Sequence, residues 1–149
     1  MKNALVRGAL LACSALPLTA AACDCAKLTP AEIYAKSSIV FVGVLVDAHA
    51  PLPIDSDPSF KQLVTPRDVE AHFFTHEMLK GTLGQVPAIV RLPGGSCGIA
   101  AVVPAPYLVA TDGKGRTSVC EGSHLIADRD PERDADVVAL RKMREGKGP

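Results

Sequence analysis

The chain has 149 residues, with 16 basic and 16 acidic side chains, no tryptophan and 4% aromatic residues. This length suits one domain of ordinary size. The balanced charge without a Lys/Arg cluster argues against nucleic-acid binding, and the few aromatic residues leave no obvious platform for stacked bases.

Residues 1–22 have the pattern of a secretory signal peptide: a basic start, a mostly apolar run over residues 8–18 and then three alanines. Cleavage after Ala22 would make Cys23 the first mature residue, remove Cys13 and produce a secreted or periplasmic protein. A second hypothesis is a lipoprotein signal, in which Cys23 is acylated and anchors the protein. No other segment approaches the ~20 apolar residues of a transmembrane helix.

The predicted mature domain, residues 23–149, retains four cysteines: Cys23, Cys25, Cys97 and Cys120. An even number of cysteines in a small exported domain predicts two disulfides. A Cys23–Cys25 bond would have to close across a single residue and would be strained. Each of the other two pairings joins the N-terminus to the second half of the domain by two crosslinks, so the Cys-x-Cys motif is predicted to be an anchor.

The first secondary-structure elements are predicted from local signals. Thr29 and Glu32 form a capping box around a proline, which predicts a short helix from about Pro30 to Lys36. The segment "SIVFVGVLVDA" is apolar and β-branched nearly throughout, which predicts a buried strand. Gly43 inside it indicates a bulge or sharp bend.

Residues 49–67 contain four prolines and several turn formers, which predicts a long exposed loop. We expect this loop to carry partner contacts beside the N-terminus, with Ile54 and Phe60 as apolar anchors.

The rest of the chain predicts more strands and a second helix. "DVEAHFFTHEMLKG" alternates as a half-buried strand does, and "AIVRL", "PYLVATD" and "RTSVC" predict further strands, the last entered through a turn at "DGKG". The tail from Asp130 and Pro131 predicts a helix with an apolar stripe of Val137, Leu140 and Met143. The expected fold is therefore mainly β: a five-stranded, OB-fold-like Greek-key barrel with a short N-terminal helix and a C-terminal helix.

Candidate catalytic and metal sites are weak in this sequence. "HEMLK" begins like the zinc-protease motif at His76 and Glu77 but lacks its second histidine. His72 and His76 would share a strand face about 13 Å apart, too far for one ion. The cysteines and His124 lack zinc-site spacing, and a Cys-x-Cys copper or redox pair has no clustered His or Met beside it. The segment "GGSCG" at residues 94–98 has Gly-x-Ser-x-Gly spacing, but we expect it to be a turn that holds a disulfide. We expect no catalytic residue, no metal or cofactor of its own, and no enzymatic activity.

The α-amino group of Cys23 is the most unusual chemical group of the predicted mature protein. Because an α-amine titrates at about pH 7.7–8, a neutral fraction with a free lone pair exists at physiological pH. The amine nitrogen and the carbonyl oxygen of Cys23 could together occupy the open coordination position of a catalytic zinc in another protein. Two disulfides would give such a bidentate ligand the rigidity that it needs.

These features resemble a known family. "CDC" at the mature start is followed by "IVFVG", "LKG", "CG" and "YLVA" before the last cysteine. This order is similar to the netrin-like module, and especially to the N-terminal inhibitory domain of tissue inhibitors of metalloproteinases, over nearly all of residues 23–126. The resemblance implies an OB-fold barrel with two disulfides, Cys23–Cys97 and Cys25–Cys120.

For function, the resemblance implies an inhibitor in which Cys23 chelates the zinc of a metalloproteinase, and we expect flanking contacts from Asp24, Cys25 and Ala26. We expect the protein to be a monomer. The chain departs from the family in lacking its third disulfide and its C-terminal domain. It also has Asp24 where the inhibitors carry a small or hydroxyl residue, and an unpaired carboxylate is costly to bury in an apolar pocket. The alternative is a non-inhibitory netrin-like interaction module, lipid-anchored if Cys23 is acylated.

Overall fold

The computed structural model describes residues 25–49, 68–94 and 98–146. The predicted mainly β, OB-like architecture is confirmed: five antiparallel strands form a curled half-barrel accompanied by two helices. The strands are β1 (Ile39–His49), β2 (Val69–Lys80), β3 (Val90–Leu92), β4 (Ala105–Thr111) and β5 (His124–Leu125), and the helices are α1 (Pro30–Lys36) and α2 (Ala135–Arg144).

The strand order β3-β2-β1-β4-β5 is a Greek key, because three strands connected in sequence are followed by a fourth that returns beside the first. The predicted strand "RTSVC" forms one parallel bridge only, between Arg116 and Arg91 of β3. There the Arg91 N–H donates to the Gly115 carbonyl oxygen over 2.8 Å, and the Thr117 N–H donates to the Arg91 carbonyl oxygen over 3.2 Å. This bridge joins the outer edge of β3 to the chain after β4 and curls the sheet, while β5 supplies the fifth strand.

β1 is buried on both faces over its first half, as its continuous apolar sequence predicts. Its side chains alternate between two clusters. The barrel-interior cluster is built from strand residues: Ile39, Phe41, Leu45, Ala71, Val90, Leu92, Ala105, Tyr107 and Val109. The helix-side cluster packs the opposite face of the sheet against both helices: Ile33, Val40, Val42, Leu79, Leu108, Ala110, Ile126, Val137 and Leu140.

Gly43 lies at a register shift between β1 and β2, so the predicted bulge or bend is confirmed. A Cβ atom at this position would lie 3.0 Å from Phe41 Cε2 and 3.1 Å from the Phe74 carbonyl oxygen. The close approach of the neighbouring strand therefore requires glycine here.

Helix α1 has the bounds and the capping box that the sequence predicts: the Glu32 carboxylate accepts from the Thr29 N–H over 2.8 Å, and Thr29 Oγ1 accepts from the Glu32 N–H. Its C-terminal end is held by Lys80, the last residue of β2. Lys80 Nζ donates to the carbonyl oxygens of Tyr34 and Ser37 over 2.5 and 2.7 Å. A cation at the carbonyl end of a helix is favourable because it faces unsatisfied acceptors and the negative end of the helix dipole.

Helix α2 begins later than predicted. Asp130 and Pro131 form a turn, in which the Asp130 carbonyl oxygen accepts from the Arg133 N–H, and the N-cap is Asp134. Asp134 competes better for the cap because its Oδ1 accepts from the N–H groups of both Asp136 and Val137. The apolar stripe is confirmed: Val137 and Leu140 are buried, and Met143 packs against the same cluster.

β1 extends to His49, so the predicted exposed loop cannot begin before residue 50. Residues 50–67, with Ile54 and Phe60, lie outside the described part of the chain. Among the described residues, no helix combines the length and apolar character needed to cross a membrane.

Candidate partner-binding site at the N-terminal segment

One of the two predicted disulfides is present: Cys25 and Cys120 are bonded, with their Cα atoms 5.3 Å apart and a sequence separation of 95. Ala26, the residue after Cys25, is exposed. Cys23, Asp24 and Cys97 lie outside the described residues, so the Cys23–Cys97 disulfide and the flanking contact of Asp24 stay predictions.

The partner cysteine lies in a rigid turn. Cys120 belongs to the short 3-10 helix Val119–Glu121, which Gly122 closes with φ +92° and an N–H that donates to the Val119 carbonyl oxygen. A Cβ atom on Gly122 would overlap the side chain of Ile33, which is buried in the core. The turn is therefore packed directly on α1. The Cys25–Cys120 disulfide fastens the segment that begins at Cys25, here called the N-terminal segment, to this turn and thereby to α1.

Two buried hydroxyl groups, those of Thr117 and Ser123, connect this turn to β4. Thr117 Oγ1 donates to the Ala110 carbonyl oxygen over 2.6 Å, and Ser123 Oγ accepts from the Ala110 N–H over 2.7 Å. The two hydroxyl groups also share a short hydrogen bond with each other. The side chains of Thr117 and Ser123 thus bind the backbone N–H and carbonyl groups of Ala110 in β4. A strand at "RTSVC" would have used those backbone groups, which explains why that segment is not a strand.

Beside the N-terminal segment lies a cavity of about 490 Å³. Lys27 and Leu28 form one wall, and Val119, His124, Leu125 and Asp134 lie around the rest. Val119 and Leu125 are each 39% exposed, so the cavity has apolar side chains at its edges. The surface next to Lys27 and Leu28 is thus concave, with apolar edges and polar groups between them.

The polar groups centre on His124. Its Nε2 lies 3.0 Å from Asp134 Oδ2 and its Nδ1 lies 3.1 Å from the Gly122 carbonyl oxygen. Because a carbonyl oxygen and a carboxylate only accept, both hydrogen bonds form when both ring nitrogens carry a proton. The contacts at both ring nitrogens hold the imidazole between Asp134 and the turn at Gly122.

Asp134 is held in its ionised form. Its partial burial by itself would raise the pKa, but hydrogen bonds from the Val137 N–H and from His124 outweigh this effect and lower the pKa of Asp134 below its ordinary value. Asp134 thereby caps α2 and fixes His124 at the cavity wall. A zinc site of His124 with the cysteines would lack two of its ligands, because Cys25 and Cys120 are bonded to each other.

The candidate metal or catalytic residues of β2, which are His72, His76 and Glu77, make separate contacts. His76 lies edge-on to Phe74, with ring centroids 5.5 Å apart, while His72 stacks on His49 at 6.0 Å. Glu77 binds Arg141 of α2. These three residues therefore form no common site in the described structure.

No protein-family model matches the chain, and no curated protein matches it at a significant level of similarity. The function is therefore inferred from the residues of the site.

Proposed function

We propose that the protein is an exported binding module that presents its N-terminus to a zinc metalloproteinase and inhibits it. The observation that carries the proposal is the Cys25–Cys120 disulfide, which fastens the chain only two residues after Cys23. The proposed ligands of the target's zinc are the α-amine nitrogen and the carbonyl oxygen of Cys23.

A chelating N-terminus has to be held in place before it binds, because ordering it on binding would subtract from the affinity. Three described contacts act within a few residues of Cys23. Cys25 is bonded to the turn, Leu28 packs against the helix-side cluster, and Thr29 begins α1 with a complete capping box. Cys25 is therefore a rigid point of the domain, two residues after Cys23 in the sequence.

The direct test is to add one alanine before Cys23. The mature protein, with its N-terminus verified by intact mass, is titrated against a panel of zinc metalloproteinase catalytic domains, together with the extended variant. We expect inhibition to fall by orders of magnitude on extension, because the amine moves off the metal, while the melting temperature stays nearly constant.

Asp24→Thr is the matched variant for specificity. It should strengthen binding to proteases with an apolar pocket, because a carboxylate no longer has to be desolvated there. If the extended protein inhibits as well as the original, the chelation mechanism is wrong. An acyl chain on Cys23 in the intact mass would also contradict it, because the amine would then not be free.

The second candidate function is a non-inhibitory protein-interaction module. The cavity beside Lys27, with its exposed apolar edges at Val119 and Leu125, favours it, because it offers a docking surface that does not use the amine of Cys23. Partner binding that survives the alanine extension but is lost in Leu125→Asp would support this alternative over the inhibitor.

A further inference from the structure

Two similar tripeptides lie opposite each other where β1 ends and β2 begins: residues 47–49 are Asp-Ala-His and residues 70–72 are Glu-Ala-His. The paired residues are Asp47 with His72, Ala48 with Ala71, and His49 with Glu70. Side chains alternate along a strand, so the two alanines share one face and the four polar residues share the other. Ala71 is buried in the barrel-interior cluster and Ala48 packs against it, which places the polar residues on the outer face.

A bulge produces this arrangement. Leu45 lies opposite Phe73, and Asp47 is the next residue of β1 with a partner on β2, so Val46 is an extra residue in the ladder. Leu45 belongs to the barrel interior, and strict alternation from it would turn Asp47 and His49 inward as well. The bulge turns both side chains outward, which is one way in which bulges shape functional sites.

The four outward residues, Asp47, His49, Glu70 and His72, form what we call the acid–histidine cluster. His49 Nδ1 lies 3.6 Å from Asp47 Oδ2, and His49 Nε2 lies 3.5 Å from Glu70 Oε2. The rings of His49 and His72 are nearly parallel, at an angle of 16° with centroids 6.0 Å apart. One ligand atom each from Asp47, His49 and His72 lies within 4.8 Å of the others.

We propose that the acid–histidine cluster binds a divalent late first-row transition metal ion, Zn²⁺ or Cu²⁺. Imidazole nitrogen together with carboxylate oxygen suits these ions, and Cu²⁺ should bind more tightly than Zn²⁺ at the same ligands. Ca²⁺ and Mg²⁺ should bind poorly, because they require mostly oxygen ligands. The ion would join the end of β1 to the start of β2.

A second group, His124 with Asp134 and Asp136, also brings three possible ligand atoms within 4.8 Å of one another. Its atoms are already engaged: both ring nitrogens of His124 lie within 3.1 Å of a protein oxygen, Asp134 caps α2, and Asp136 lies 3.7 Å from Lys27 Nζ. In the acid–histidine cluster, by contrast, no hydrogen bond between described residues occupies the lone pairs of His49 or His72. The proposed metal site is independent of the inhibitory function.

The test measures equilibrium binding of ZnCl₂ and of CuCl₂ to the oxidised mature protein after treatment with a chelator, with MgCl₂ and CaCl₂ as negative probes. The variants are His49→Gln and His72→Gln. His76→Gln, on the same strand but outside the cluster, is the matched control, and His124→Gln controls for the second group. The altered side chains lie at the surface or are half-buried, and circular dichroism verifies that each variant is folded.

We expect one ion per chain, and a loss of at least about tenfold in affinity in both His49→Gln and His72→Gln, since even the loss of an outer-shell partner costs 10–100-fold. The His76→Gln and His124→Gln variants should bind like the original. Electron paramagnetic resonance of the Cu²⁺ form should show coordination by two nitrogens. The proposal is overturned by the absence of saturable binding up to millimolar ion, by unchanged affinity in either cluster variant, or by loss of binding in His124→Gln.

Discussion

Glu121 follows Cys120 in the turn that anchors the N-terminal segment, and its carboxyl group is partly buried. This burial, together with the negative charge of Asp112, raises the pKa of Glu121 above its ordinary value. The folded state therefore binds this proton more tightly than the unfolded state does. Its contribution to stability is present below the unfolded pKa and is lost as the pH rises through the folded pKa.

Glu121→Gln should consequently raise the melting temperature at pH 7, because the neutral amide avoids the desolvation of a carboxylate and can still accept a hydrogen bond. The advantage should shrink as the pH is lowered and Glu121 of the original protein becomes protonated. Thermal unfolding of both proteins from pH 3 to 8 measures this difference. An advantage that stays constant across the range would show that charge is not its cause.

At the scale of elements, α2 is fastened to β2 by ion pairs as well as by its apolar stripe. Arg141 donates from Nη2 and Nε to Glu77 Oε2 over 2.7 and 2.9 Å, and Arg144 Nη1 donates to Glu77 Oε1 over 2.8 Å. Glu77 and Arg141 are only 24% and 19% exposed, so solvent screens their interaction incompletely. Burial tends to raise the pKa of Glu77, but the two arginines outweigh it and lower that pKa.

Glu77→Gln should lower the free energy of unfolding by about 1.5–3 kcal/mol at pH 7, the usual range for hydrogen bonds to a charged group. A lowered folded pKa means that this stabilisation exists above the unfolded pKa and is lost as the pH falls through the folded pKa. The difference between the two proteins should therefore vanish in acid. Urea unfolding at pH 7 and pH 3 is the measurement.

Glu132→Gln is the matched control for that experiment. Glu132 accepts from Arg141 Nη1 over 2.7 Å, yet its side chain is 75% exposed. An exposed pair of this kind contributes at most about 1 kcal/mol. An equal or larger loss in Glu132→Gln than in Glu77→Gln would contradict the argument from burial.

At the scale of the whole molecule, the Cys25–Cys120 disulfide closes one loop that contains α1 and the strands β1 to β4. A crosslink at a sequence separation of 95 lowers the conformational entropy of the unfolded chain, which raises the free energy of unfolding. The same bond carries the proposed function, because it holds the segment that begins with Cys23.

Replacing Cys25 and Cys120 together by serine should lower the free energy of unfolding by up to about 4 kcal/mol. Denaturant unfolding measures the loss, and peptide mapping without reduction tests the pairing itself. A Cys23–Cys120 peptide, or free thiols in the mature protein, would contradict both the observed bond and the predicted Cys23–Cys97 partner bond.

The elements that could be predicted from the sequence are those decided by neighbours in the chain. The capping box at Thr29 starts α1 where predicted, the apolar run after Ser38 forms the buried strand β1, and Gly43 marks its bulge. Their signals lie within a few residues, because helix caps and strand burial depend on local backbone geometry and on side-chain periodicity.

Only the tertiary structure decided which distant residues meet. The bulge at Val46 turns His49 outward toward His72, although alternation along β1 alone would direct it inward. Similarly, His124 contacts Asp134 rather than a cysteine. "RTSVC" forms a bridge and a turn because the Thr117 hydroxyl donates a hydrogen bond to the Ala110 carbonyl oxygen. Strand register and side-chain partners of this kind depend on the pairing of separate segments, whose free energy is not encoded in either segment alone.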